Sequence, residues 1–324
     1  MSDSNPASVP TFFVAVHRVY YTVAADAGPP LGFNLDGVCT CEDAGPSSCN
    51  SGSFQHCDGP DGRDVTGNAL LSLFDGFYSS GSVAGSLNGQ IAAGLATILI
   101  GIANYNGGPD DTEVALTAFI SSGIRGDGGY LPPVWDGNDA WDVDPISTAG
   151  YVPVDGGYAY TPLFVSTQGY VNHGVLVAYV PDVALDLGFG TLDLGTVVFA
   201  STIQPAPGGY RLVNGQLAGR VSTHSVLSLA AELPDPLDST MSLCGTDPTY
   251  LTVRQAVCQS ADIVSTPALD NTGAVCNAIS LSLGFGADPV KLGAPLAVAH
   301  HPLGCDGAVD DCTAVDGGGA DTAQ

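Results

Sequence analysis

The sequence predicts a mainly β fold: an antiparallel, jelly-roll-like β-sandwich with a short helix and a disulfide-pinned, helical or mixed C-terminal segment. Two observations carry this. From 158 to 224, runs rich in β-branched and aromatic residues (YAYTPLFVS, YVNHGVLVAYV, VALDLGFGTLDLG, TVVFASTIQ, YRLVNGQLAGRVS) follow one another with turn residues between them. That is the rhythm of an antiparallel meander rather than of strand–helix–strand units. In addition, 9 cysteines fall in two groups, Cys39, Cys41, Cys49 and Cys57, then Cys244, Cys258, Cys276, Cys305 and Cys312. Set among Gly, Ser and Asp, they read as disulfide staples of an oxidising compartment, and their odd number leaves at least one thiol outside intrachain pairs.

The elements follow in order. Residues 1–10, polar and proline-bearing, form a tether, and 11–229 form the sandwich. The tether has the character of the segment after the lipidated cysteine of a bacterial lipoprotein, so Met1 is expected to stand where that cysteine would be, with a leader removed upstream. TFFVAVHRVYYTVA, 11–24, is a strand; a Cys/Asp-rich loop covers 33–68; the spacing of Leu70, Leu71, Phe74 and Phe77 gives a short helix. ATILIGIANY and TEVALTAFIS flank NGGPDD as a hairpin, because Asn and Gly accept positive φ and Pro fixes its own. The apolar run Ile91 to Ala103 is too short to cross a bilayer and reads as a buried strand. LGFG, at 187–190 and again at 283–286, reads as a strand-end turn. From 230 to 312, SVLSLAAELPDP, PTYLTVRQAVCQSADIV and part of CNAISLSLGFG show helical spacing, and 313–324 is a tail.

Charge narrows the partners. Charged residues make up 12% of the chain against about 25% in ordinary soluble proteins, and 33 Asp plus Glu face 7 Lys plus Arg, a net charge of −26. No nucleic acid is expected as a partner, and anionic membrane surfaces are poor candidates, since few cations are present to meet phosphates and the net charge repels them. Contact with a membrane is expected only through a lipid anchor.

Candidate sites are weighed against simpler roles. Asn34, Asp36, Asp58, Asp61, Asp64 and Asn68 supply the oxygen ligands that Ca²⁺ takes, making calcium the one candidate cofactor, although Asp, Asn and Gly also build bare turns. The C-x-C pair lacks the usual zinc-knuckle spacing, so disulfides are favoured over zinc. His300 and His301 precede Cys305 and Cys312, where a short-loop disulfide is expected rather than a metal site. WDGNDAWDVDP places Trp135, Asp136, Asn138, Asp139, Trp141 and Asp142 together, which suits glycan recognition by an aromatic face with polar neighbours; buried anchors are the alternative. No nucleophile elbow, zinc-protease motif or phosphate loop is present, so no catalytic residue is assigned.

FNLDGVCTC, CDGPDGRD, LATILIGIANYNGGPDD, WDGNDAWDVD, VNHGVLVAYV, NGQLAGRV, LCGTDPTY, AVCQSADI and CNAISLSLGF together resemble a family of secreted lipoproteins of high-GC Gram-negative, myxobacteria-like bacteria. The likeness spans most of 11–312, implies an envelope location and supplies no activity. The expectation is a secreted or outer-envelope, lipid-anchored binding protein, with glycan the leading ligand. A hydrolase using an Asp pair and a purely structural or adhesive component are the alternatives.

Overall fold

The computed structural model describes residues 8–22, 30–41, 45–52, 54–75, 82–186, 191–232, 243–245, 247–298 and 312. Most of the expected tether, the LGFG at 187–190, His300, His301, Cys305 and the 313–324 tail lie outside these residues. The chain forms β1 (Phe12–Tyr20), α1 (Thr66–Phe74), α2 (Val83–Ala92), β2 (Thr97–Ala103), β3 (Asp111–Gly123), β4 (Arg125–Gly126), β5 (Gly129–Tyr130), β6 (Ala140–Val143), β7 (Thr148–Val154), β8 (Gly157–Pro162), β9 (Phe164–Asn172), β10 (Val175–Asp186), β11 (Thr191–Ala206), β12 (Gly209–Ser222), α3 (Thr223–Glu232), α4 (Pro248–Gln259) and β13 (Ala278–Pro295).

The fold is mainly β and antiparallel, as the sequence predicts, but the main sheet closes on itself. β1, β2, β3, β9, β10, β11, β12 and β13 pair each with the next, and β13 returns to β1, giving an eight-stranded antiparallel barrel. A sandwich would leave edge strands with unpaired backbone groups; here the closing β1–β13 ladder, from Phe13 opposite Val290 to Tyr20 opposite Gly284, removes the edge. Only β6 breaks the pattern, lying parallel to β13 and antiparallel to β3 on the outside.

The segment read as a helical appendage is therefore corrected in part. α3 and α4 are helices, but Ala278–Pro295 is a barrel strand. Ile279, Leu281, Leu283 and Phe285 alternate with Ser280, Ser282 and Gly284, a period of two that places every second side chain on the lumen side. For the same reason the second LGFG lies within this strand and is not a turn. Gly284 is required there: a Cβ would sit 2.1 Å from the Tyr20 ring on the partner strand.

The two ends of the barrel differ. Short connections after β2, β9 and β11 lie at one end. The long connections after β1 and β12, which carry α1 and α2, then α3 and α4, cover the other. Inside, Val14, Val16, Ile100, Ile102, Leu116, Leu176, Val180, Phe199, Leu212 and Phe285 belong to one buried cluster. Outside, Ala15, Leu99 and Phe119, the alternate residues of β1 to β3, pack against Trp141 and Val143 of the insertion between β3 and β9.

Three disulfides join the described residues: Cys41–Cys57, Cys49–Cys276 and Cys258–Cys312. The expected Cys305–Cys312 loop is thus corrected, because Cys312 reaches back across 54 residues to α4. Cys244 is also disulfide-bonded. Cys39 takes no part in these pairs and is half-buried beside Asn34.

Candidate functional site

The barrel holds a void of about 100 Å³ toward its helix-covered end. Its wall includes Val16 and Val19 of β1, Ile98 and Ile100 of β2, Leu116, Ala118 and Ile120 of β3, Val180 and Val183 of β10, Phe199, Leu217, Leu283 and Phe285. Among the described residues that line it, only Gln90 and Thr97 are polar, and none is charged. Phe199 and Phe285 face each other at 5.3 Å between ring centroids.

Helix α2 closes the site because the barrel opens for it. The β1–β2 ladder runs only from Phe12 to Ala15 on β1. Beyond that the strands part, and Asn88 takes the vacated edge: its Oδ1 accepts the Val19 N–H at 2.8 Å and its Nδ2 donates to the Val19 carbonyl at 2.9 Å. Thr97 bridges the same gap, donating its hydroxyl to the Val16 carbonyl at 2.5 Å. Leu87, Gln90 and Ile91, spaced one helical turn apart, then face the void. Ser82 caps the start of α2 by accepting the Gly85 N–H. Gly94, at φ +69°, ends it where a Cβ would lie 1.9 Å from the Leu131 carbonyl oxygen, so only glycine fits.

The six candidate residues of WDGNDAWD lie where the insertion meets β13. Trp141 is fully buried in the outer core and offers no stacking face; this corrects its assignment to a binding site, and the cause is that β6 is clamped between β3 and β13. Trp135 is half-buried, its N–H donating to Asp139 at 2.6 Å. Asp136 accepts the Asn138 N–H, which holds its carboxyl below the usual range. Asn138 receives the Lys291 ammonium, and Asp142 accepts the Ala294 N–H while burial raises its pKa. These six residues form a clasp between the insertion and β13.

The calcium set is only partly brought together. Asn34 closes a turn with Gly37 and Val38, Asp61 is exposed beside Arg63, and Asn68 ties Tyr21 to Ser282. Asp36, Asp58 and Asp64 do converge, near Asp262. Asp64 is raised to about 8, first by burial and then by Asp36, Asp262 and Asp58, against the Leu35 N–H bond that lowers it. Asp58 is raised chiefly by burial and is hydrogen-bonded to Asp64. Among the described residues, no group of three or more His, Cys, Asp or Glu side chains could hold a metal ion.

A pH dependence follows. Asp64 is protonated in the folded chain up to about pH 8 but ionises near pH 4 when unfolded, so the folded state binds the extra proton between those values. Stability contributed by this group is complete below pH 4 and is lost as pH rises through 8, by at most about 1.4 kcal/mol per pH unit. Melting temperature is expected to fall from pH 5 to pH 8. Asp64→Asn, which keeps a donor without the titration, should flatten the curve; an equally steep curve would exclude Asp64 as its source.

At the opposite end a cleft of about 570 Å³ is lined by Asn106, Asp110, Asp111, Thr112, Tyr170, Val171 and Asn172. Tyr170 is exposed. Asp110 accepts the His173 N–H, and Asp111 accepts the N–H groups of Asn106 and Glu113, so the loop is held rigid by its own carboxylates.

No family model, curated protein or solved structure matches this chain.

Sequence reading missed both α2 and the lumen. The signal for the lumen was present in Val14/Val16, Ile98/Ile100/Ile102 and Ile279/Leu281/Leu283/Phe285, whose alternation has no polar interruption on the inner face. The signal for α2 was weak, since three glycines and two serines sit in or beside a ten-residue helix.

Proposed function

We propose that this protein is a non-enzymatic binding protein that takes a small apolar ligand inside its barrel, beneath α2. The observation that supports this is a void with an uncharged, almost wholly apolar wall in a core that would otherwise be close-packed. Protein interiors rarely keep gaps larger than a water. A dry gap of this size costs about 2 kcal/mol at the scaling found for engineered cavities, and a ligand recovers that energy by filling it. Eight-stranded barrels are also just wide enough to hold side chains or one small ligand.

The test is pentane, followed by saturation-transfer NMR and by thermal melting. Binding to the native chain is expected, together with loss of binding and a higher melting temperature in Ala118→Phe, whose ring occupies the void. Absence of transfer to pentane, or undiminished transfer with the filled variant, would sink the reading.

Glycan recognition is the second reading, relocated to the cleft at Tyr170, where an exposed ring stands beside Asp110, Asn106 and Asn172. Such combinations bind sugars by stacking and hydrogen bonding. A glycan array should then lose its signals with Tyr170→Ala while pentane binding persists. A chain that binds neither probe would be left with the structural or adhesive role. We further propose an extracytoplasmic, lipid-anchored location; the disulfides support the oxidising setting. Calcium is kept as a proposal for the Cys/Asp-rich loop as a whole, where Asn and backbone oxygens would have to complete the ligand set, and melting with calcium against chelator at pH 8 decides it: equal curves remove the ion.

A further inference from the structure

We infer that the barrel selects uncharged ligands, each a short hydrocarbon chain bearing one hydrogen-bonding oxygen that the Gln90 side-chain amide receives. This rests on the reading that the lumen is a binding site, and it names the class of ligand and the residue that sets it.

Size comes first. The void, about 100 Å³, is smaller than the roughly 150 Å³ dry cavity that accepts benzene, so the buried part of a ligand is about four or five carbon atoms. Charge comes next. Among the described residues, no lysine, arginine or histidine lines the void, and the chain carries −26 overall. An ionised carboxylate or phosphate entering there would lose its hydration and gain no counter-charge. Fatty acids and phospholipid headgroups are thereby rejected, and so are ammonium ligands, since none of the described lining residues is a carboxylate.

Among the described residues, one lining side chain can still donate. Thr97 spends its hydroxyl proton on the Val16 carbonyl across the β1–β2 gap and keeps only its acceptor lone pairs. Gln90 lies in the last turns of α2, half-buried, on the face that carries Leu87 and Ile91 into the void. Its amide offers both a donor and an acceptor, which suits an alcohol, ketone or ester oxygen at the rim while the alkyl part fills the apolar interior. α2 cannot rotate to withdraw it: Asn88 is bonded on both sides of Val19, and Gly94 fixes the helix end against Leu131. Gln90 is therefore a specificity-determining residue held in place by its neighbours.

The experiment compares 1-pentanol, pentane and pentanoate at pH 8 by competition in saturation-transfer NMR. Native protein is expected to bind 1-pentanol more tightly than pentane, by about fivefold, the worth of one hydrogen bond, and to prefer it to pentanoate by more than about tenfold. Gln90→Leu should abolish the preference for 1-pentanol over pentane, and Gln90→Asn should restore it only in part. Pentanoate binding as well as 1-pentanol, or a preference unchanged in Gln90→Leu, would overturn the inference while leaving the lumen reading intact. If none of the three binds, the lumen reading itself falls, and this inference with it.

Discussion

Replacing Arg220 with methionine is expected to destabilise the chain by about 3–5 kcal/mol, the cost of leaving a buried charge without its partner. Arg220 lies on β12 with its side chain wholly out of solvent, and Asp270 meets it in a bidentate pair at 2.9 and 2.6 Å. The same guanidinium donates to the Val264 carbonyl at 2.7 Å and to the Leu35 carbonyl at 2.6 Å. One side chain thus ties a barrel strand to the segment after α4 and to the loop of the first cysteine group. The planar fork makes this possible; lysine has a single ammonium and cannot serve these directions at once. Urea unfolding of Arg220→Met, Asp270→Asn and the double variant is the measurement. The double variant should cost less than the sum of the singles by more than about 1 kcal/mol, because neutralising Asp270 removes the stranded charge. Strict additivity would mean that the pair contributes nothing as a pair.

Removing the Cys49–Cys276 disulfide, with both residues changed to serine, should cost at least as much. The bond closes 227 residues, for which chain-entropy reasoning gives about 5 kcal/mol. Cys41–Cys57, closing 16 residues, should give about 3 kcal/mol. Both sulfurs of the longer link are buried with Ala261 and Val264, and Asn50 pairs with the Ala274 carbonyl and the Cys276 N–H beside it. Serine in that apolar site adds the cost of burying a hydroxyl. Melting under oxidising conditions should drop by about 5–8 °C for the long link and by less for the short one. The reverse order would show that strain or residual unfolded-state structure outweighs loop length.

The two cysteine groups were legible, and their chemistry could be read from their Gly/Ser/Asp surroundings. Which cysteine meets which could not: Cys49 finds Cys276 only because the first loop folds against the segment leading into β13. The meander from 158 to 224 was equally plain, since turn residues punctuate alternating strands and adjacent strands pair locally. By contrast, the strand at 278–295 was partly mistaken for helix because LSLGFG is ambiguous in a short window. The burial of Trp141 was hidden by the same limit. An aromatic–carboxylate cluster reads alike whether it faces solvent or, as Trp141 does, is clamped between β3 and β13.

Arg220 and Gln90 show the limit from the other side. Neither belongs to a motif, and each acquires its role from residues distant in the chain: Asp270, Val264 and Leu35 for one, the parted β1–β2 edge for the other.

By itself the sequence determined the antiparallel β character, the oxidised cysteines and the strongly acidic charge balance, because periodicity, cysteine surroundings and net charge are properties of local composition. Only the tertiary structure decided that the sheet closes, that α2 enters the gap between β1 and β2, and that an uncharged void lies beneath it. Closure depends on β13 meeting β1 across most of the chain, and such a pairing leaves no mark in either strand alone.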